Sequence, residues 1–92
     1  MAIERRHIFY EGRVQGVGFR FKVQRLASGF AVVGFVRNLD DGRVEVAAEG
    51  EPAELDRFAA AIGREMGGKI RGADVQPRPA GEPPLAGFLI EA

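Results

Sequence analysis

From His7 to Val14, apolar and polar residues alternate around Ile8, Tyr10 and Val14 with Gly12 in phase, so the segment predicts a strand with one face turned inward. Gly16 and Gly18 bracket Val17 and break that strand. From Phe19 the period changes. Phe19, Val23, Leu26, Ala27 and Phe30 form the stripe of an amphipathic helix, with Gly29 as its expected end. Val32 to Leu39 and Arg43 to Gly50 predict two strands, the second alternating through Val44, Val46 and Ala48, joined by an Asp40-Asp41-Gly42 turn. Pro52 suits a first helical position, and Leu55, Phe58, Ile62 and Met66 repeat at helical spacing until Gly67-Gly68. Ile70 to Val75 predicts a fourth strand. Pro77, Pro79, Pro83 and Pro84 then predict a loop from Gln76 to Pro84, and Leu85 to Ile90 recovers the apolar character of a closing strand at the sheet edge.

Strand, helix, strand, strand, helix, strand is the order of an α+β, ferredoxin-like split βαββαβ sandwich, in which two helices cover one face of an antiparallel sheet. The 92 residues are expected to make a single domain, 1–92, with an extra C-terminal edge strand. No internal repeat or low-complexity tract interrupts it.

Composition narrows the chemistry. Thirteen basic and thirteen acidic residues leave no net charge, which removes the long-range field of a nonspecific nucleic-acid binder. There is no cysteine and one histidine, His7, so no disulfide, thiolate nucleophile or metal-holding cluster can be assembled, and chemistry without cofactor or metal is expected. The N-terminus turns charged at once, and no apolar run approaches the roughly 18 residues of a membrane span. A cytoplasmic monomer with neither nucleic-acid nor membrane partners is expected.

A strand ending at Val14, the loop Gln15-Gly16-Val17-Gly18 and a helix opening at Phe19-Arg20 gather backbone N–H groups into a concave set. The first N–H groups of a helix lack internal partners, and its dipole adds partial positive charge there, so an anion is favoured. Arg20 adds a planar guanidinium matching two phosphate oxygens. The predicted ligand is a phosphoryl group, held by Gln15, Gly16, Val17, Gly18, Phe19 and Arg20. Other phosphate motifs fail here: Phe21 stands where the dinucleotide fingerprint needs a third glycine, and Gly68-Lys69 is followed by Ile70 instead of Ser or Thr.

Gly12-Arg13-Val14-Gln15-Gly16-Val17-Gly18-Phe19-Arg20 resembles the first signature of the acylphosphatase family, and Gly34-Phe35-Val36-Arg37-Asn38 through Asp41-Gly42-Arg43-Val44-Glu45 resembles the second. The resemblance is good over residues 6 to 66 and thins afterwards: Lys69 follows Gly68 where the family usually has Gly-Pro, and Phe35 stands where tryptophan is common. It implies that backbone N–H groups of Gln15 to Arg20 wrap a phosphate, that Arg20 grips it, and that Asn38 holds the nucleophilic water. It further implies in-line hydrolysis of an acyl phosphate to a carboxylate and inorganic phosphate, with the bound phosphate accepting the water's proton.

Read without the motif, Arg20 is a solvated first-turn arginine and Asn38 a turn residue. His7 falls in phase with Phe9 and Glu11, on the open sheet face away from the loop. Arg37, Arg43, Glu45 and Glu49 read as solvated sheet-face charges, and Arg13 as a shaper of the pocket mouth. The competing function is a noncatalytic phosphate- or anion-binding or regulatory module on the same fold. An RNA-reading sheet needs stacking aromatics that Arg43 to Gly50 lacks. An accessory domain of a larger carbamoyl-transfer maturation protein is the other alternative, against which the free-standing enzyme is expected because the sequence stops at Ala92.

Overall fold

The computed structural model describes residues 2–92; Met1, the first residue of the expected domain, lies outside them. In chain order the elements are β1 (Glu4–Gly12), α1 (Phe19–Ala27), β2 (Val33–Asn38), β3 (Val44–Gly50), α2 (Pro52–Met66), a 3₁₀ turn (Gly67–Lys69), β4 (Ile70–Arg78) and β5 (Phe88–Glu91). The strands lie in the order β4-β1-β3-β2-β5. The first three pairings are antiparallel, and β5 runs parallel to β2. This is the expected ferredoxin-like α+β architecture with a fifth strand closing one edge, so the whole sheet is mixed.

Alternation along the strands decides which face the helices cover. Ile8, Val46 and Val36 stand in one row across β1, β3 and β2, and all three are buried in a core shared with Val23, Phe58 and Ile62. Phe58 on α2 meets Phe30 with ring centroids 5.7 Å apart and Phe88 of β5 at 5.6 Å. A side chain of that size contributes roughly 1.5 to 3 kcal/mol when fully buried, so this contact fastens α2 to the end of α1 and to the closing strand. Phe30 reaches Phe58 from beyond the helix. The α1 helix stops at Ala27, earlier than its apolar stripe predicts, because the Ser28 hydroxyl donates to the Arg25 carbonyl (2.7 Å) and the chain tightens there.

Two further expectations need correction. The fourth strand continues past Val75 to Arg78 and takes Pro77 with it, opposite Arg6 of β1. β4 is an edge strand, where a residue without an N–H can be accommodated. Glu45 is not a solvated charge. It is 3% exposed on the central strand, where its carboxylate accepts from Arg37 Nε and bonds His7 Nδ1, both at 2.7 Å. His7 does lie on the face away from the helices, edge-on to Phe35.

The proline-rich segment is held by a buried arginine. Arg5, 2% exposed, donates Nε to Glu49 (2.9 Å), Nη1 to the Glu82 carbonyl (2.7 Å) and Nη2 to the Pro83 carbonyl. Glu49 also accepts the Gly81 N–H at 2.9 Å. The Gly81 amide, opposed by partial burial and assisted by Arg5, holds the Glu49 carboxyl below its ordinary value of 4.5. A carboxylate with a depressed folded pKa stabilises the fold above its unfolded pKa, and that stability is lost as pH falls through the lower folded value. Glu49→Gln keeps an acceptor for Gly81 but has no charge to titrate. It is expected to flatten the loss of stability below pH 4.5 in a series of urea denaturations.

Candidate active site

The loop after β1 is pinned at both ends by core residues, Val14 and Phe19, each 1% exposed. Phe19 packs on Tyr10 with centroids 5.4 Å apart, and burial pushes the Tyr10 hydroxyl up to about 12, so it stays neutral beneath the loop. Between the pins, Gly16 and Gly18 take φ of 74° and 79°. A Cβ at either glycine would meet nothing within 4 Å. Glycine is therefore demanded there by the left-handed backbone and not by crowding. Gly18 is also the N-cap of α1, and no side chain caps the helix. The first-turn N–H groups are left for a ligand.

Those groups open on a cavity of about 90 Å³ lined by Val14, Gly16, Gly18, Phe19, Arg20, Phe21 and Asn38. It lies well below the roughly 300 Å³ at which drug-sized sites begin, a scale that suits a small tetrahedral anion. Arg20 enters from the first turn of α1. Its Nη1 donates to the Glu91 carbonyl of β5 at 3.4 Å, a long bond that leaves most of the guanidinium fork available. Asn38, at the end of β2, lines the same cavity. Its Oδ1 is the one buried side-chain polar atom without a hydrogen-bond partner among the described residues. A buried acceptor without a donor costs about 1 to 3 kcal/mol, so it marks a place where a donor is expected.

The loop is fixed to the Asn38 side by a contact that motif reading passed over. Gln15 Nε2 donates to the carbonyls of Leu39 (2.8 Å) and Arg43 (2.9 Å), the two ends of the β2–β3 turn. Leu39 follows Asn38 directly, so one amide side chain sets the distance between the glycine loop and the asparagine. An amide beside the glycines was a visible signal for such a tie; its partners were not. Val17 packs against the core, and Arg13 is exposed outside the cavity lining. Of the six loop residues expected at the phosphate, Gly16, Gly18, Phe19 and Arg20 line the cavity, whereas the Gln15 and Val17 side chains face elsewhere.

A family model described as Acylphosphatase matches residues 6–90. The chain belongs to the acylphosphatase family. An acylphosphatase of Pseudomonas aeruginosa is 46% identical over 87 residues, covering 91% of each chain. One of Bacillus velezensis is 54% identical over 56 residues, which are 61% of this chain and 62% of that protein, so this match spans less than two thirds of the relative's length. The crystal structure of acylphosphatase from Bacillus subtilis superposes with a TM-score of 0.84 at 34% identity, over 99% of this chain and 100% of that one. The family match runs through β4 and into β5, beyond residue 66, where the motif resemblance thins.

Proposed function

We propose that the chain is an acylphosphatase, cleaving the carboxyl-phosphate bond of acyl phosphates with a water held by Asn38 and a phosphate held by Arg20 and the loop. The observation that carries this reading is the buried, unpartnered Oδ1 of Asn38, a residue that lines the same small cavity as Arg20 and the glycine loop. A binding module has no need of an unsatisfied acceptor facing its anion, whereas a hydrolase needs a place for water.

The phosphoryl oxygens accept from the N–H groups of the loop and the first turn of α1, and two of them face the Arg20 fork. Water donates one hydrogen to Asn38 Oδ1 and turns a lone pair toward phosphorus. Its oxygen–phosphorus bond forms as the bond from phosphorus to the acyl oxygen breaks, and the electron pair leaves on the carboxylate. The proton goes to a phosphoryl oxygen. Asn38 is too weakly basic to take it, and a carboxylate leaving group needs little protonation. Positioning and charge stabilisation supply the acceleration. Inorganic phosphate is then both product and ligand of the loop.

The deciding assay compares benzoyl phosphate with a phosphate monoester. Cleavage of the first and not the second is expected, and binding of phosphate without cleavage of either would leave the binding module. Hydrolysis is also expected to persist in excess EDTA. His7 is the only histidine, cysteine is lacking, and no group of three or more His, Cys, Asp or Glu residues able to hold a metal occurs among the described residues. Loss of activity in EDTA with recovery on a divalent ion would contradict this. The proposal includes a cytoplasmic monomer, in keeping with a cysteine-free composition that calls for no oxidising compartment. No helix among the described residues is long and apolar enough to cross a membrane.

A further inference from the structure

Beside the phosphate cavity lies a wider groove of about 350 Å³, lined by Gly18, Phe21, Lys22, Gln24 and Arg25. Gly18 and Phe21 line both, so the two spaces adjoin across the first turn of α1. Phe21 is 75% exposed, more than any other large apolar residue described. The ring stands where the two spaces adjoin and leaves an apolar face open there. The charges beside it have one sign. Among the described residues neither Lys22 nor Arg25 makes a salt bridge, and the α1 sequence Phe-Arg-Phe-Lys-Val-Gln-Arg-Leu-Ala contains no acid. In a chain of zero net charge this helix face is a local cationic patch. Gln24 is already engaged, donating to the Phe88 carbonyl at 3.0 Å, and so forms a fixed wall.

We propose that this groove takes the acyl half of the substrate, and that the chain prefers acyl phosphates whose acyl group is aromatic and carries a second anionic group at its far end. The inference rests on the acylphosphatase reading. With phosphorus held in the small cavity, the acyl carbon leaves toward the shared wall, where the Phe21 ring offers an apolar face. Lys22 and Arg25, one and four residues along the helix, line the same groove. A compact acetyl group fills neither the ring face nor the cationic end, so the groove discriminates by what lies past the carbonyl.

The test uses acylphosphonates, whose carbon–phosphorus bond is not hydrolysed, so that the groove is read by binding alone. Acetyl-, benzoyl- and 4-carboxybenzoylphosphonate are titrated calorimetrically at fixed ionic strength, with inorganic phosphate as reference. Affinity is expected to rise in that order. Phe21→Ala should cut the benzoyl-to-acetyl affinity ratio about fivefold, as expected from loss of one aromatic contact, and Phe21→Tyr should restore it. The paired Lys22→Gln and Arg25→Gln change should cut the carboxybenzoyl-to-benzoyl ratio about threefold, with that advantage fading at high salt. Equal affinities in the parent chain, or ratios untouched by these changes, overturn the proposal. Failure of the enzyme reading looks different: the three phosphonates remain discriminated while benzoyl phosphate is not cleaved. Cleavage of benzoyl phosphate with undiscriminated phosphonates removes the groove and keeps the enzyme.

Discussion

Arg20→Ala is expected to abolish measurable affinity for inorganic phosphate and to lower kcat/KM for benzoyl phosphate by about 10²-fold or more, roughly 3 kcal/mol, by analogy with loss of one preorganised oxyanion donor. Arg20 is the only charged side chain lining the small cavity, so nothing replaces its charge. Its contact with the Glu91 carbonyl is long, so the fold should lose little, and unchanged melts would assign the defect to the site. Arg20→Lys is expected to fail largely as well, because an ammonium cannot reproduce the planar two-pronged contact. Calorimetry showing phosphate bound as tightly by Arg20→Ala as by the parent chain would move the site elsewhere.

Asn38→Ala is expected to separate turnover from binding. A residue that holds only water contributes in the transition state, so kcat should fall about 10²-fold or more while inorganic phosphate still inhibits. Stability carries the second half of this prediction. Truncating a strand-end asparagine normally costs about 1 kcal/mol, but here Oδ1 has no protein partner to lose. Removing an unsatisfied acceptor should hold the melting temperature or raise it, the signature of a polar group kept for function. A variant that melted well below the parent and turned over normally would make Asn38 an ordinary strand-end residue.

Much of this was legible in the chain because its apolar spacing changes period where the structure changes type. Ile8 to Val14, Phe19 to Ala27, Val44 to Ala48 and Leu55 to Met66 fall in the elements expected or at their ends. What escaped depends on neighbours distant in sequence. Pro77 reads as a strand breaker until β4 is known to be an edge. Glu45 alternates as a surface residue should, yet on the central strand His7 and Arg37 reach over it from both sides. That Arg20 and Asn38 line one cavity was anticipated only through the residues around them. The Gln15 tie and the Glu91 carbonyl depend on contacts up to 71 positions apart, and no local pattern encodes them.

The Gln15 contact also bears on how this chain can diverge. Asp40-Asp41-Gly42 is polar, exposed and at a hairpin tip, the kind of place where insertions usually accumulate without harm. Here the same amide nitrogen reaches the carbonyls on both flanks of that tip, so any change of length that parted Leu39 from Arg43 would pull one of them out of range. The hairpin's length is thereby yoked to the glycine loop. Descendants of this chain should hold the number of tip residues and the glycine at position 42, whose φ is 95°, while Asp40 varies.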